Sequence, residues 1–556
     1  MRTGKDQVND QNHACSCDVL VVGSGIAGTM AALSAASQLG PGGTVLLASD
    51  GPVFSGSSFF PGTWGLGLIA PDGEQDQEDL VSTIMEVGCH VADEALVRSF
   101  VAGIQPSIDL LESWGLALKK PSGSARAQRE YVPCFDHKHR LWRGIQRQPF
   151  VEAIGGRLSQ SGVTTCRGWE LLDLASPFQE GNEGCEQGTA TFFCKSTQDF
   201  SQVRFLAAVL CTGGTSSLYP RHLTSADCRA TVHALAAQVG CDLVNLEFLQ
   251  FMPGLVSPVR NVVFNEKTFR FMELPEAVVK DLGGPERTRQ LLDQRSWHGP
   301  FTSRLESRLI DLQIHQAGPR GLEMRPQLSE ELPEFACTYF DWLQSATGTA
   351  ADAPLQVAHY AHASNGGIRI DPWGATGVPG LFAAGECTGG MHGADRIGGL
   401  SSANGLVFGL RAGQAAAKFA RQAAGRRDHA AAGSGASAPL PSWTRWGSDS
   451  AQEAEEQMGR LMEQHCGIIR SEEGLATAQG AIDQLLSHLQ QSLQPALRPQ
   501  DAALARRTRL RLETAQLMLG AALERRQSRG SHYRVDEPLA YGRNKVRRGG
   551  KACSMA

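Results

Sequence analysis

Several features are scarce in this chain, and each scarcity closes off a class of function. No run of ~18 apolar residues occurs, so no membrane span is expected. The N-terminus has no apolar core of a leader peptide, so no secretory signal is read there. There are 14 cysteines, but no CxxC pair, and the closest two are Cys15 and Cys17. Structural zinc and iron–sulfur sites need clustered ligands, so neither is expected. Scattered, reduced and mostly buried thiols make the cytoplasm the expected compartment. Neither sign of charge dominates: 52 basic and 57 acidic side chains leave a net charge of −5. That excludes the basic footprint of a nucleic-acid binder and the composition of a disordered polyanion. No internal repeat is visible.

What is abundant is glycine, 62 of 556 residues, against about 7% in ordinary proteins. No collagen-like period accompanies it, so the glycines belong in turns and close contacts. The length suggests three to four units of about 150 residues. Residues 1–14 are polar and aperiodic and read as a disordered tail. Cys17 to Gly23 (CDVLVVG) is an apolar run the length of one buried parallel strand. Gly23-Ser24-Gly25-Ile26-Ala27-Gly28 follows, then an alanine-rich stretch to Leu39, a Pro41-Gly42-Gly43 breaker and a second strand, Thr44 to Ala48. This is a βαβ unit, the setting in which GxGxxG carries meaning. Gly23 permits the tight turn, Gly25 lets backbone approach a pyrophosphate, and Gly28 lets helix and strand pack closely. The helix N-terminus offers N–H groups and positive dipole to phosphate. Ser24 lies within the loop. Ser49 or Asp50, at the end of the second strand, is the expected ribose contact.

Short β-like runs occupy about 160–210. From about 250 to 355 glycine thins, charge rises and helical patterns such as Thr302 to Leu312 appear, as in an inserted domain. Gly380 to Ala384 is another short strand, Ser401 to Ala424 is a helical stretch rich in Ala and Gly, and Gly433 to Pro441 reads as linker. The fold class is therefore α/β: a discontinuous Rossmann-like dinucleotide-binding domain (15–244 and 356–425), an inserted α+β capping domain (245–355), a linker (426–445), a C-terminal helical domain (446–540) and a basic tail (541–556).

Further segments carry a resemblance. Cys211-Thr212-Gly213-Gly214 follows a strand. Gly385-Glu386-Cys387 precedes His392-Gly393-Ala394-Asp395-Arg396-Ile397-Gly398. Glu247-Phe248-Leu249-Gln250-Phe251, His362-Ala363-Ser364-Asn365-Gly366-Gly367 and Ser528-Arg529-Gly530-Ser531-His532-Tyr533-Arg534 complete the set. In this order they resemble the flavoproteins of the fumarate reductase, succinate dehydrogenase and L-aspartate oxidase family, from about residue 17 to 540. The resemblance implies FAD as cofactor, with flavin contacts at Gly23, Gly25, Gly28, Ser57, Ser58, Gly65, Thr212, Gly213, Asp227, Glu386 and Ser401. Membrane-bound respiratory members attach FAD through a histidine in the loop that corresponds to Ser55–Gly65. That loop has no histidine here, so non-covalent FAD is expected.

The resemblance also implies a carboxylate substrate clamped by His362 and Arg396, with Arg304 as the proton donor. The Arg304 match is loose, because Arg308 also fits a helical face and arginine is a poor acid. Two positions depart from the family. Its QFHPT reads Gln250-Phe251-Met252-Pro253-Gly254, so a histidine donor and a threonine hydroxyl are replaced by groups that cannot donate. The acidic, glycine-rich segment that should follow is not recognisable in Val262 to Phe271. The second carboxylate is therefore not held in the family manner. The substrate is a monocarboxylate, or carries an apolar or aromatic group in a pocket of Met252, Phe251 and Trp64; plain core packing of Met252 is the alternative.

Asp136-His137-Lys138-His139-Arg140, flanked by Tyr131 and Trp142, reads as a solvated loop, a basic rim or, least well, a metal site. Arg525, Arg526, Arg529 and Arg534 read as a packed helix face or a docking surface for an electron-donor protein. The expected activity is hydride transfer at a C–C bond of a small carboxylate. L-aspartate oxidation is the alternative, and a flavin-bearing electron-relay protein within a larger reductase is a third reading. No metal, nucleic acid or membrane span is expected.

Overall fold

In the computed structural model, residues 15–176, 187–327, 332–427 and 440–537 are described. The tails at 1–14 and 541–556 and the middle of the linker lie outside them. The apolar run predicted as the first strand is β1 (Cys15–Val22), followed by helix α1 (Ile26–Leu39) and strand β2 (Val45–Ser49). β1 is parallel to β2 on one side and to Asp199–Leu210 on the other. Thr164–Arg167 adds beyond β2.

The strand Asp199–Leu210 is long enough to serve two neighbours on its far side. Its first half pairs antiparallel with Gly188–Cys194, which pairs with Trp169–Ala175, and its last residues pair parallel with Leu381–Ala383. The strand from the second FAD-domain segment thus completes a sheet begun by the first. The inner half of β1 is buried, with Val19 to Val22 at 3% exposure or less, as expected for a parallel strand covered on both faces. The helix Leu400–Arg427 lies against α1 through glycines spaced by four. A Cβ on Gly409 would sit 2.5 Å from the Ala27 carbonyl oxygen, and one on Gly413 2.2 Å from that of Ala31. That spacing brings the N-terminus of the long helix beside the glycine loop.

The inserted domain is built on a five-stranded sheet centred on Leu249–Ser257 and Leu355–Ser364, which pair antiparallel. The strand Leu355–Ser364 belongs to this sheet, so the capping fold runs about nine residues beyond the boundary expected at 355. The sequence missed this because the strand's outer end joins the capping core while its inner end, at His362, reaches the cleft. The helix expected over Thr302 to Leu312 begins only at Arg308. Thr302 and Ser303 are committed elsewhere: Thr302 Oγ1 donates to Asp395, and the Ser303 amide donates to the Gly530 carbonyl.

Helices Ala451–His465, Glu472–Gln491 and Pro499–Glu524 form the C-terminal unit. Arg507 on the last of these donates to buried Glu170 at 2.7 Å, fixing the unit to the FAD-domain sheet. The segment Ser528–Arg534 joins all three parts. Gly530 accepts from Ser303, Ser531 donates to Ala394, and Tyr533 accepts from the Arg470 amide. The motif is a clasp that ends next to Arg396.

Candidate active site

The parallel strands end in register. The Gly23 amide donates to Ala48, that of Cys211 to Val22 and that of Ala384 to Leu210. Outside these carboxyl ends runs a cleft, the place where open parallel sheets bind ligands. Gly23, Ser24, Gly25, Ser49, Ser57, Ser58, Gly65, Thr212, Gly213, Asp227, Glu386 and Ser401 all line it, as do His362 and Arg396. Gly28 does not. A Cβ there would lie 1.7 Å from the Gly23 carbonyl oxygen, so it serves helix–strand packing.

The cleft has the character that a dinucleotide needs. Gly23 has φ of 102°, and a Cβ on it would strike the Cys211 carbonyl. A Cβ on Gly25 would meet nothing within 4 Å; the loop leaves its backbone open to a bulky group. Ser24 and Ser49 hydroxyls bond each other at 2.7 Å, tying the loop to the end of β2. Asp50 also lines the cleft, held by Lys195 at 2.7 Å and Arg229 at 3.0 Å. Glu386 accepts from the Ser364 amide at 3.1 Å, and burial raises its pKa. Ser401 stands in the first turn of the helix Leu400–Arg427, exposed to the cleft.

At the capping end, Arg396 and His362 face the same space. Arg396 Nε and His362 Nδ1 are both buried without a hydrogen-bond partner. Burial, reinforced by the Arg396 charge, pushes the His362 pKa down to about 3. The pair is thus one cation and one neutral imidazole, each with unused hydrogen-bonding capacity. Arg304, the third residue of the expected triad, does not line the cleft. Its Nε donates to Asp395 at 2.7 Å and its guanidinium lies over the Phe135 ring at 5.3 Å.

The departures from the family pattern separate in space. Met252 lines the cleft, but Phe251 and Gly254 do not. Phe251 packs on Tyr219, with ring centroids 5.3 Å apart. A Cβ on Gly254 would meet the Tyr360 ring at 2.5 Å, so the volume of the missing side chain is already filled. Among the cleft residues that the sequence reading did not single out are Cys134 and Glu266. Cys134 Sγ donates to Glu266 Oε1 at 2.6 Å. Burial, then the Glu266 charge, pushes the thiol up to about 12. Nothing in the mixed polar segment Val262 to Phe271 singled out Glu266.

The cluster at Asp136–Arg140 is an ion-pair network. Arg140 is buried and bonded to Asp76, Asp79 and Asp136. Among the described residues no group of three or more acidic, His or Cys side chains is placed to hold a metal. Nor, among them, is any helix long and apolar enough to cross a membrane. The C-terminal arginines are also engaged: Arg525 with Glu247, Arg526 with Glu537, and buried Arg534 with Asp536.

A glycine-loop α/β domain closed by an inserted capping domain defines a dinucleotide-dependent oxidoreductase fold. Comparison with known sequences makes this specific. Residues 18–272 and 307–402 match the family profile described as FAD binding domain, and 455–547 match that of Fumarate reductase flavoprotein C-term. The first match spans more than half of the chain, which therefore belongs to this family of FAD-dependent flavoprotein oxidoreductases. The chain is 27% identical to a fumarate reductase (CoM/CoB) chain of Methanothermobacter marburgensis, with 94% of each protein covered. It is 25% identical to L-aspartate oxidase of Vibrio cholerae, covering 95% of this chain and 97% of that one. The fold also matches an E. coli quinol fumarate reductase FrdA variant, with a TM-score of 0.73 at 21% identity over 96% of this chain and 93% of the other.

Proposed function

We propose that the protein transfers hydride between FAD and the β-carbon of an α,β-unsaturated carboxylate, or the reverse, in the space faced by Arg396 and His362. The observation that carries this is the pairing of the buried, unpartnered Nε of the Arg396 guanidinium with a neutral imidazole at the open end of the cofactor cleft. An arginine so placed binds a carboxylate bidentately and polarises the conjugated double bond. The resulting fixed orientation accounts for much of the rate.

FAD, when bound, supplies the hydride chemistry. Gly23, Ser24 and Gly25 with the α1 N-terminus hold its pyrophosphate. Ser49, Asp227 and Glu386 would accept from its hydroxyls, Ser57, Ser58, Gly65, Thr212 and Gly213 would help to hold it, and the helix dipole at Ser401 would favour negative charge on the reduced cofactor. The loop Ser55–Gly65 offers no histidine for attachment, which supports non-covalent binding.

Reduction of the alkene also needs a proton at the α-carbon. Arg304 is bound to Asp395 outside the cleft, whereas Cys134 lines it and carries its proton, so we take Cys134 as the donor on position rather than on acidity. Reduction of a fumarate-like substrate and oxidation of L-aspartate both remain consistent with the relatives. Met252 counts against both dicarboxylates, since a thioether cannot anchor a second carboxylate, and favours a monocarboxylic enoate. An electron-donor protein is the remaining partner to identify.

The test is anaerobic reoxidation of the chemically reduced protein, followed by flavin absorbance, with fumarate, crotonate and cinnamate as oxidants. Reoxidation by any of them supports the reading. Peroxide formed from L-aspartate and oxygen, with no reoxidation by the enoates, would replace it with the oxidase.

A further inference from the structure

The cleft does not end at His362. Beyond Met252 and Gly398 it opens into a second cavity of about 400 Å³. The two share Gly65, Leu66, Cys134, Met252, Glu266 and His362, so they form one continuous space. The second cavity lies between the antiparallel pair of Leu66–Ala70 with Leu141–Ile145 and the capping helix Glu334–Thr347. Its apolar wall is a set of aromatic rings packed edge to face. Trp64 meets Phe335 at 4.6 Å, Tyr131 meets Phe335 at 5.4 Å, and Tyr131 meets Trp142 at 5.4 Å. Room for the Trp142 ring is made by glycine: a Cβ on Gly144 would stand 2.8 Å from it. The four rings come from four separate segments, and none is needed for FAD.

From this we infer that the substrate is a monocarboxylate bearing an aromatic group, with the carboxylate at Arg396 and His362 and the ring in the chamber of Trp64, Tyr131, Trp142 and Phe335. This rests on the carboxylate reading above. Met252 supplies a polarisable apolar neck between the two, suited to a flat conjugated chain. The volume is that of a pocket for a drug-sized ligand. Edge and face contacts with four rings favour another ring over an alkyl chain.

The test is titration of the oxidised holoenzyme with cinnamate, crotonate and the neutral enone benzylideneacetone, read by flavin absorbance and tryptophan fluorescence. Cinnamate is expected to bind at least about tenfold more tightly than crotonate. Trp142→Ala should remove that margin while leaving crotonate affinity unchanged. Should Trp142→Ala fail to fold, Thr338→Phe fills the same chamber from a half-buried helix position and should likewise remove the cinnamate margin alone. Equal affinities for cinnamate and crotonate in the parent protein would overturn the aromatic chamber and leave the carboxylate reading standing. Binding of benzylideneacetone alone, sensitive to Trp142→Ala, would keep the chamber and overturn the carboxylate reading. Silence from all three would overturn both.

Discussion

The two ends of the cleft are made by different means. The cofactor end is backbone: Gly23, Gly25, Thr212 and Gly213 present main chain, and the side chains that matter are small. The capping end is side chain: Arg396, His362, Met252, Cys134, Glu266 and the rings of Trp64, Trp142 and Phe335 converge from separate segments. A site read by backbone needs glycine at fixed spacing on one turn, so it is local in sequence. A site read by side chains needs only that several elements meet, and no spacing records the meeting.

The glycine loop offers the most severe test of this contrast. Gly28→Val puts atoms where the Gly23 carbonyl already is, and overpacking of that kind costs about 3 kcal/mol or more. We expect insoluble protein or a melting temperature about 3 °C lower or more. Gly25→Val has open space, so the fold should survive in far-UV circular dichroism while the purified protein is colourless. If Gly25→Val keeps its flavin, the backbone reading of that end is wrong.

At the capping end, Arg396→Ala should lower kcat/KM for the carboxylate by about 100-fold or more with flavin content unchanged. Cys134→Ala should lower kcat by about 10²-fold, as expected for loss of a positioned acid. Arg304→Ala should lower kcat less than about tenfold, but should cost about 1–3 kcal/mol by leaving Asp395 buried with one partner fewer; thermal denaturation reads that loss. A collapse of kcat in Arg304→Ala with Cys134→Ala unaffected would return the proton to Arg304.

Legibility followed the same division. The βαβ unit and the order of segments could be read from sequence because each is a local pattern, and all but one of the residues proposed for the cofactor line the cleft. Gly28 was read both as a packing glycine and as a flavin contact; it packs helix against strand and does not line the cleft. At the capping end, Phe251 was read as a pocket residue beside Met252, and Gly254 as a lost contact to the substrate. Strand alternation, and the Tyr360 ring lying over Gly254, send them elsewhere. Arg304 sat in a plausible motif, yet only the clasp from Gly530 to Ser303 shows that its segment is turned toward Asp395. Glu266 and Cys134 are 132 positions apart, and no one-dimensional pattern could join them. Helix propensity over Thr302 to Ser307 lost to tertiary hydrogen bonds for the same reason.

The buried imidazoles extend the contrast to pH. Desolvation holds His233 at about 4 and His362 and His392 at about 3, all below the ordinary value near 6.5. Each is neutral in the folded protein and takes up its proton on unfolding between its folded pKa and about 6.5. Their contribution to stability is therefore fully present above pH 6.5 and is lost as pH falls. By pH 5 the loss is up to about 2 kcal/mol for each. Denaturant melts at pH 7.5 and pH 5 should show it, and His392→Gln should reduce the difference. Carboxylate affinity, by contrast, should show no inflection near 6.5, because His362 does not titrate there in the folded state. An inflection that vanishes in His362→Gln would mean that the imidazole is solvated and the cleft wetter than its walls suggest.

The least change is expected at the C-terminal arginines, where sequence left a docking surface open. Arg525 and Arg534 are held by Glu247 and Asp536 in partly or fully buried pairs, so their positive charge is largely spent within the fold. Arg526 is the exposed member, paired with Glu537 at 3.0 Å. Exposed pairs contribute about 0–1 kcal/mol, so Arg526→Glu should shift stability by less than that. Turnover with a small-molecule donor such as reduced methyl viologen should not change. The informative case is turnover driven by a cell extract. A drop of tenfold or more confined to that assay would mean that an acidic donor uses this face despite its internal pairing. Equal rates would place the electron entry route elsewhere, with the open side of the cofactor cleft as the next surface to test.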